Sequence, residues 1–119
     1  QCIKNKNFEL FGSLNAIREF IHVSDLVNII LLSLVKIEKT DYLNIGSGES
    51  IKISKLVDLI KNKTFFNKKI INENKINDVS KRVCGNKNLK KYLKYEIMFD
   101  LDKGLSQTID WYKKVLQKN

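Results

Sequence analysis

The chain has 119 residues, of which 43% are hydrophobic, and it carries a formal net charge of +9. This length suits one small domain or a part of a larger one, and the apolar content excludes an intrinsically disordered chain. The most apolar stretch, residues 26–37, is shorter than the roughly 20 apolar residues that a membrane-crossing helix needs. We therefore expect a folded protein with no membrane partner.

The basic residues are nearly all lysines spread along the chain, and Arg18 and Arg82 are the only arginines. A nucleic-acid-binding protein usually concentrates its basic residues on one face, so we expect a solvated lysine surface and no nucleic-acid partner. A small basic domain that binds nucleic acid or protein stays open as the alternative. Cys2 and Cys84 lack metal-type spacing, and no secretory leader is recognised, so we expect a cytoplasmic location.

The first half of the chain predicts two strands, a helix and a third strand. Strands are expected over 8–12 and 17–23, and in the second the alternation of side chains would put Arg18, Phe20 and His22 on one face and Glu19, Ile21 and Val23 on the other. Ser24 and Asp25 supply helix-start chemistry, a capping side-chain oxygen and a negative charge near the positive end, for a helix that continues to about Lys36. Since this helix is apolar nearly all round, we expect it to be buried. A brief strand over 41–46 then follows.

The second half predicts mostly helices. Ser54 caps an amphipathic helix, 69–71 is a candidate strand, and 77–83 is expected to be irregular. A short helix over 87–93 and an extended segment over 95–99 precede a last helix that Asp100 or Asp102 starts. In the helix that Ser54 caps, we expect the inward-facing residues to be Leu56, Val57, Leu59 and Ile60. In the last helix, we expect a stripe formed by Leu101, Leu105, Thr108, Ile109, Tyr112 and Leu116. Strands alternating with helices indicate an α/β fold.

Several kinds of active site find no support in the sequence. His22 is the single histidine, so a multi-histidine metal site is excluded, and we expect a packed or hydrogen-bonded core residue. The pair Gly46 and Gly48 lacks the third glycine of a dinucleotide-binding loop, because Ile51 stands in its place. No Tyr-x-x-x-Lys pair is present. The sequence therefore predicts no catalytic, cofactor-binding or metal-binding residue.

The two arginines are the candidate ligand-binding residues. A guanidinium group keeps its charge at any relevant pH and grips phosphate through two parallel hydrogen bonds. Arg18 begins a predicted strand, and Arg82 ends an irregular basic stretch. If the fold brings them together, they would clamp a diphosphate, although sequence spacing does not show that they meet.

Three segments, taken together, resemble the extended short-chain dehydrogenases/reductases that act on nucleotide sugars. FGS at 11–13 followed by IREFIHVSDLV at 17–27 is similar to their G-x-G…R-[DE]-F-x-x-V-x-D-[LV] stretch, and YLNIGSGE at 42–49 is similar to Y-N-I-G-S-G. Asp78 to Arg82 and residues 89–112 resemble the D…R…L-G-W-x-P…L-E-E-G-L-x-x-T-x-x-W-Y region. The sequence departs from that pattern at Gly85 and Asn88, where the family shows Asp and Lys, and at Ile97, where it shows proline.

The resemblance implies the C-terminal part of a Rossmann-type enzyme, an NAD(P)-dependent nucleotide-sugar epimerase or dehydratase. Residues 24–46 would complete the Rossmann sheet, and 1–23 with 47–119 would form the small substrate-binding domain. Arg18, Asn44 and Arg82 would bind the partner, a nucleotide-diphosphate sugar. The full-length enzyme would use NAD or NADP and form a homodimer, whereas this fragment would bind little or no cofactor and be inactive alone. A non-functional remnant is the other possibility.

Overall fold

The computed structural model describes residues 2–4, 6–38, 42–73 and 79–117. Strands and helices alternate along this part of the chain, so the α/β prediction is confirmed. In chain order the elements are β1 (Phe8–Phe11), β2 (Ile17–Glu19), α1 (Val23–Lys36), β3 (Ser50–Lys52), α2 (Ile53–Thr64), β4 (Ile70–Glu73), β5 (Lys81–Arg82), α3 (Lys87–Leu93) and α4 (Leu101–Gln117).

The strands form two small sheets. In the first, β1 runs parallel to β4, with Phe8 beside Ile70. In the second, β2 lies in the middle, antiparallel to β3 and parallel to β5. The Ile17 N–H donates to the carbonyl of Ser80 at 2.8 Å, just before β5 begins. The central strand therefore receives partners from two distant parts of the chain.

The cap of helix α1 lies two residues earlier than predicted, at His22 and not at Ser24. His22 is the N-cap, and its Nδ1 accepts a hydrogen bond from the Ser24 N–H at 3.3 Å. The His22 ring also stacks on Phe99, with ring centroids 4.4 Å apart. The prediction of Ser24 as the cap was wrong, because His22 takes that position, whereas the predicted negative charge near the start of the helix is present as Asp25 in the first turn. The prediction of a packed, hydrogen-bonded histidine is confirmed.

Helix α1 is much more exposed than predicted. Asp25 and Ile29 are its buried residues, and Ile29 packs with Leu89 and Leu93 of α3 in the main core. The prediction of a buried helix was wrong, because the described part of the chain covers only one side of α1. Large apolar side chains on the remaining surface are exposed, namely Val23, Val27, Ile30, Leu31, Leu34 and Val35.

Helices α2 and α4 pack against each other, as their amphipathic patterns predict. Val57 and Ile109 are buried between the two, and the remaining predicted inward residues are half-buried apart from Thr108, which is exposed. Asp100 starts α4 by accepting a hydrogen bond from the Lys103 N–H at 2.8 Å. This confirms one of the two predicted starts.

The strand predicted over 41–46 is absent from the described residues 42–46, which are irregular; Asp41 lies outside the described residues. An extended segment becomes a strand only when a neighbour supplies ladder hydrogen bonds, and no described strand of this chain lies beside it. Conversely, β3 and β5 form in segments that were not predicted as strands, because β2 offers both of its edges to them.

Candidate functional site

The two arginines are paired in the central sheet. In the parallel ladder between β2 and β5, Arg18 is the direct partner of Arg82. Because successive side chains alternate between the two faces of a strand, residues paired in a parallel ladder project from the same face. Arg18 is half-buried and Arg82 is exposed. The Arg18 Nη1 donates to the carbonyl of Ile17 at 2.8 Å, which holds the guanidinium near its own strand.

This arrangement places two guanidinium-bearing side chains on one face of the sheet. Lys81, which precedes Arg82 and is paired with Ile17, projects from the opposite face. Like charges at paired positions repel each other, and an anion that contacts both guanidinium groups would relieve this repulsion. The geometry therefore suits a phosphate-bearing ligand.

Glu19 ties the surroundings of the arginine pair together. Its Oε1 accepts hydrogen bonds from the Gly48 N–H at 2.6 Å and from the Ser47 hydroxyl at 3.3 Å. Its Oε2 accepts from the Cys84 N–H at 2.5 Å. One carboxylate thus joins β2 to the turn at residues 46–48, called the glycine turn below, and to the chain after β5.

The glycine turn closes tightly over this carboxylate. A Cβ added at Gly46 would lie 2.6 Å from the Glu19 Oε1 and 2.8 Å from the Cys84 Cβ. Gly48 adopts a left-handed backbone with φ 84°, which glycine tolerates without strain. Since the Gly48 N–H donates to a carboxylate and β3 intervenes before α2, this turn does not fit the pyrophosphate of a dinucleotide cofactor.

Arg82 borders a cavity of about 520 Å³ between the sheet and the glycine turn. The described residues that line this cavity are Glu19, Ile21, Ile45, Gly46, Lys81, Arg82, Val83 and Cys84. Arg18 is paired with Arg82 in the ladder but does not line the cavity. Asn44 is exposed in the irregular segment before Gly46, outside the ladder that pairs the arginines. The structure therefore brings together two of the three predicted binding residues.

A larger cavity, of about 690 Å³, lies between the central sheet, α2 and the start of α4. Its lining mixes aromatic side chains such as Phe20 and Phe99 with both acidic and basic residues, including Asp102 and Lys55. Neither arginine lines it. The arginine pair and this cavity are thus separate features of the described surface.

Asp25, in the first turn of α1, is a fully buried carboxylate. It accepts hydrogen bonds from the Tyr95 hydroxyl at 2.7 Å, the Met98 N–H at 3.0 Å and the Phe99 N–H at 3.1 Å. Burial alone raises the pKa of Asp25, but these bonds and nearby His22 outweigh burial, so its pKa lies below the ordinary 3.8. Burial, assisted by the bond to Asp25, raises the pKa of Tyr95 above 10.0.

The roles of Glu19 and Asp25 were missed by reasoning from sequence. Glu19 was assigned only to a strand face, and Asp25 only to a helix start. A weak signal exists for Glu19, because a charged residue that is not fully exposed in a strand usually has a partner. No comparable signal exists for Asp25, since its partners are about 70 residues away in sequence. Asp78, which begins the segment resembling the family's D…R motif, lies outside the described residues.

Comparison with known proteins gives a consistent family. Residues 1–46 match the model of the NAD dependent epimerase/dehydratase family. The chain is 31% identical over 105 residues to GDP-L-fucose synthase 1 of Arabidopsis thaliana, a match that covers 88% of this chain and 32% of that protein. The chain thus spans about a third of the length of this relative.

Solved structures share the fold. UDP-glucose 4-epimerase of Thermotoga maritima, solved with UDP-glucose, superposes with a TM-score of 0.88 and 26% identity over 97% of this chain and 37% of that one. A dTDP-glucose 4,6-dehydratase from Bacillus anthracis, solved in complex with NAD, superposes with a TM-score of 0.84 at 24% identity, covering 94% of this chain and 36% of that one. Both are Rossmann-type enzymes, and the α/β architecture described above corresponds to about a third of each. No helix among the described residues is both long and apolar enough to cross a membrane.

Proposed function

This chain belongs to the NAD-dependent epimerase/dehydratase family, in the extended short-chain dehydrogenase/reductase group, and on that premise we propose that it is the sugar-nucleotide-holding part of such an enzyme. Arg18 and Arg82 would bind the two phosphates of a nucleotide-diphosphate sugar. The observation that carries this proposal is the pairing of the two arginines across β2 and β5. Guanidinium groups on adjacent strands can each take oxygens of one diphosphate, which lysines hold less specifically.

The division of the chain into parts is also a proposal. Residues 24–46 would complete the sheet of a cofactor-binding domain, and 1–23 with 47–119 would form the substrate-binding domain. Two features support this: the apolar side chains that α1 exposes, and the irregular segment 42–46, which has no described strand beside it. A neighbouring sheet would bury the first and pair with the second.

The reaction itself needs groups that this sequence does not contain. Neither a glycine-rich dinucleotide loop nor a Tyr-x-x-x-Lys pair is present, and the turn at Gly46 and Gly48 does not fit a cofactor pyrophosphate. The chain's own contribution would be to bind and orient the diphosphate. NAD or NADP would be held by the rest of the enzyme, and Asn44 would lie toward the sugar. We expect the isolated chain to bind weakly and to turn nothing over.

This function can be tested by titrating the 119-residue chain with UDP-glucose and with GDP-mannose. The NMR signals of the arginine Nε–H groups are recorded at each step. Saturable shifts at Arg18 and Arg82 are expected, with affinity on the order of 1 mM. Column retention on double-stranded DNA at increasing salt serves as the comparison. Strong salt-dependent retention with no response to either nucleotide would favour the basic binding domain, and no response to any of these ligands would indicate a remnant.

A further inference from the structure

Strand β5 is too short to hold Arg82 in place by itself. It has two residues, Lys81 and Arg82, and both are exposed. In a sheet, the ladder hydrogen bonds of a strand increase with its length, so a strand of this size depends on contacts at its ends. The position of Arg82 beside Arg18 must therefore be fixed by groups that flank β5.

Hydrogen bonds bracket β5 on both sides. Before the strand, the Ser80 carbonyl accepts from the Ile17 N–H at 2.8 Å. After it, the Cys84 N–H donates to the Glu19 Oε2 at 2.5 Å. The first bond is between backbone groups, which every sequence supplies. The second depends on a carboxylate side chain, and its acceptor belongs to the residue that directly follows Arg18.

The same carboxylate is itself held from the opposite side. Its other oxygen, Oε1, accepts from the Gly48 N–H and the Ser47 hydroxyl, so Glu19 has little freedom to turn away from Cys84. Bonds from N–H groups to a carboxylate are stronger than those between neutral groups. A carboxamide has only one acceptor oxygen and could not serve Gly48 and Cys84 together.

We infer that Glu19 is a positioning residue, which holds Arg82 in register with Arg18 so that both guanidinium groups reach one diphosphate. This inference rests on the proposed function, since it deepens the account of the same site. Glu19 does not touch the ligand in this scheme. It acts through Arg82, and its removal should therefore have no effect on binding once Arg82 is gone.

A double-mutant cycle tests the inference. UDP is titrated into the wild-type chain, Glu19→Gln, Arg82→Gln and the double variant, with NMR shifts read at the Arg18 Nε–H. Glu49→Gln serves as the matched control, because it removes the same charge from the exposed end of the same turn. Hydrogen exchange at the Cys84 amide reports in each variant whether the bond from the Cys84 N–H to residue 19 is present. Should Glu19→Gln fail to fold, Glu19→Asp, which keeps two acceptor oxygens on a shorter side chain, replaces it.

We expect Glu19→Gln to weaken UDP binding about threefold to tenfold, to speed exchange at Cys84, and to have no further effect in the Arg82→Gln background. Glu49→Gln should bind as the wild type does. If UDP binds the wild type and Glu19→Gln equally well, or if Glu19→Gln weakens binding equally with and without Arg82, the positioning role is wrong and the proposed function stands. If UDP does not bind the wild type, the proposed function fails and the positioning role fails with it.

Discussion

The Tyr95 hydroxyl donates a hydrogen bond to the Oδ1 of Asp25 at 2.7 Å, across 70 residues of sequence. Together with the bonds from the Met98 and Phe99 amides, it joins the first turn of α1 to the segment that precedes α4. His22, immediately before α1, stacks on Phe99 in the same region. This junction fixes the start of α1 against the segment that leads into α4.

Replacing Asp25 should destabilise the chain more than replacing its phenolic partner. Asp25→Asn removes the charge and one acceptor oxygen, so at least one of the buried donors that bind Asp25 loses its partner. We expect this to lower the free energy of unfolding by about 2–3 kcal/mol. Tyr95→Phe removes one donor and should lower it by about 1 kcal/mol. Urea denaturation followed by circular dichroism measures both. Equal effects of the two substitutions would show that Asp25 is not the centre of the junction.

The contribution of Asp25 should depend on pH in the acid range. Its pKa is lowered in the folded chain from the ordinary 3.8, so the unfolded chain takes up the proton first as the pH falls. The stabilisation is therefore complete above pH 3.8 and is lost as the pH falls through the lower folded value. The difference in unfolding free energy between the wild type and Asp25→Asn should shrink in this window. A difference that stays constant from pH 6 to pH 2 would contradict the assignment.

A methyl group at position 46 should not be tolerated. In Gly46→Ala, the new Cβ would lie 2.6 Å from the Glu19 Oε1 and 2.8 Å from the Cys84 Cβ, so the turn or the carboxylate must move. We expect a loss of about 1–3 kcal/mol in unfolding free energy. Gly85→Ala is the control, because nothing lies within 4 Å of an added Cβ there. Comparable losses in the two variants would argue against the tight turn over Glu19.

Substitutions on the two sides of α1 should differ greatly in their effect on stability. Ile29 is 0% exposed, whereas Leu34 is 78% exposed. We expect Ile29→Ala to cost about 2–4 kcal/mol and Leu34→Ser to change stability by less than about 0.5 kcal/mol. If the wild-type chain self-associates in analytical ultracentrifugation, Leu34→Ser should weaken that association, since it removes part of an exposed apolar surface. A large destabilisation by Leu34→Ser would mean that this side of the helix is buried in solution.

Local patterns predicted the helices well because each carries its own signal. The amphipathic stripes of α2 and α4 were found from periodicity, and the predicted ends of the short helix α3 match the structure. The burial of α1 was predicted wrongly, because periodicity shows which residues are apolar and not what covers them. Leu34 and Val35 belong to an apolar stretch, yet the described chain places nothing over them.

The sheet and the site were only partly predictable, since pairing depends on distant residues. A two-residue strand such as β5 has no periodicity of its own, and its existence depends on β2. For the same reason, sequence spacing could nominate Arg18 and Arg82 but could not bring them together. The bonds that Glu19 accepts could not be predicted either, because the sequence does not show that Gly48 and Cys84 lie on either side of one carboxylate.

The most direct test of the account compares the affinity of UDP and of uridine for the wild-type chain and for Arg82→Gln, measured by NMR titration. If paired guanidinium groups hold the diphosphate, the wild type should bind UDP at least about tenfold more tightly than uridine, and Arg82→Gln should abolish that preference. A preference for UDP that survives in Arg82→Gln would contradict the central claim.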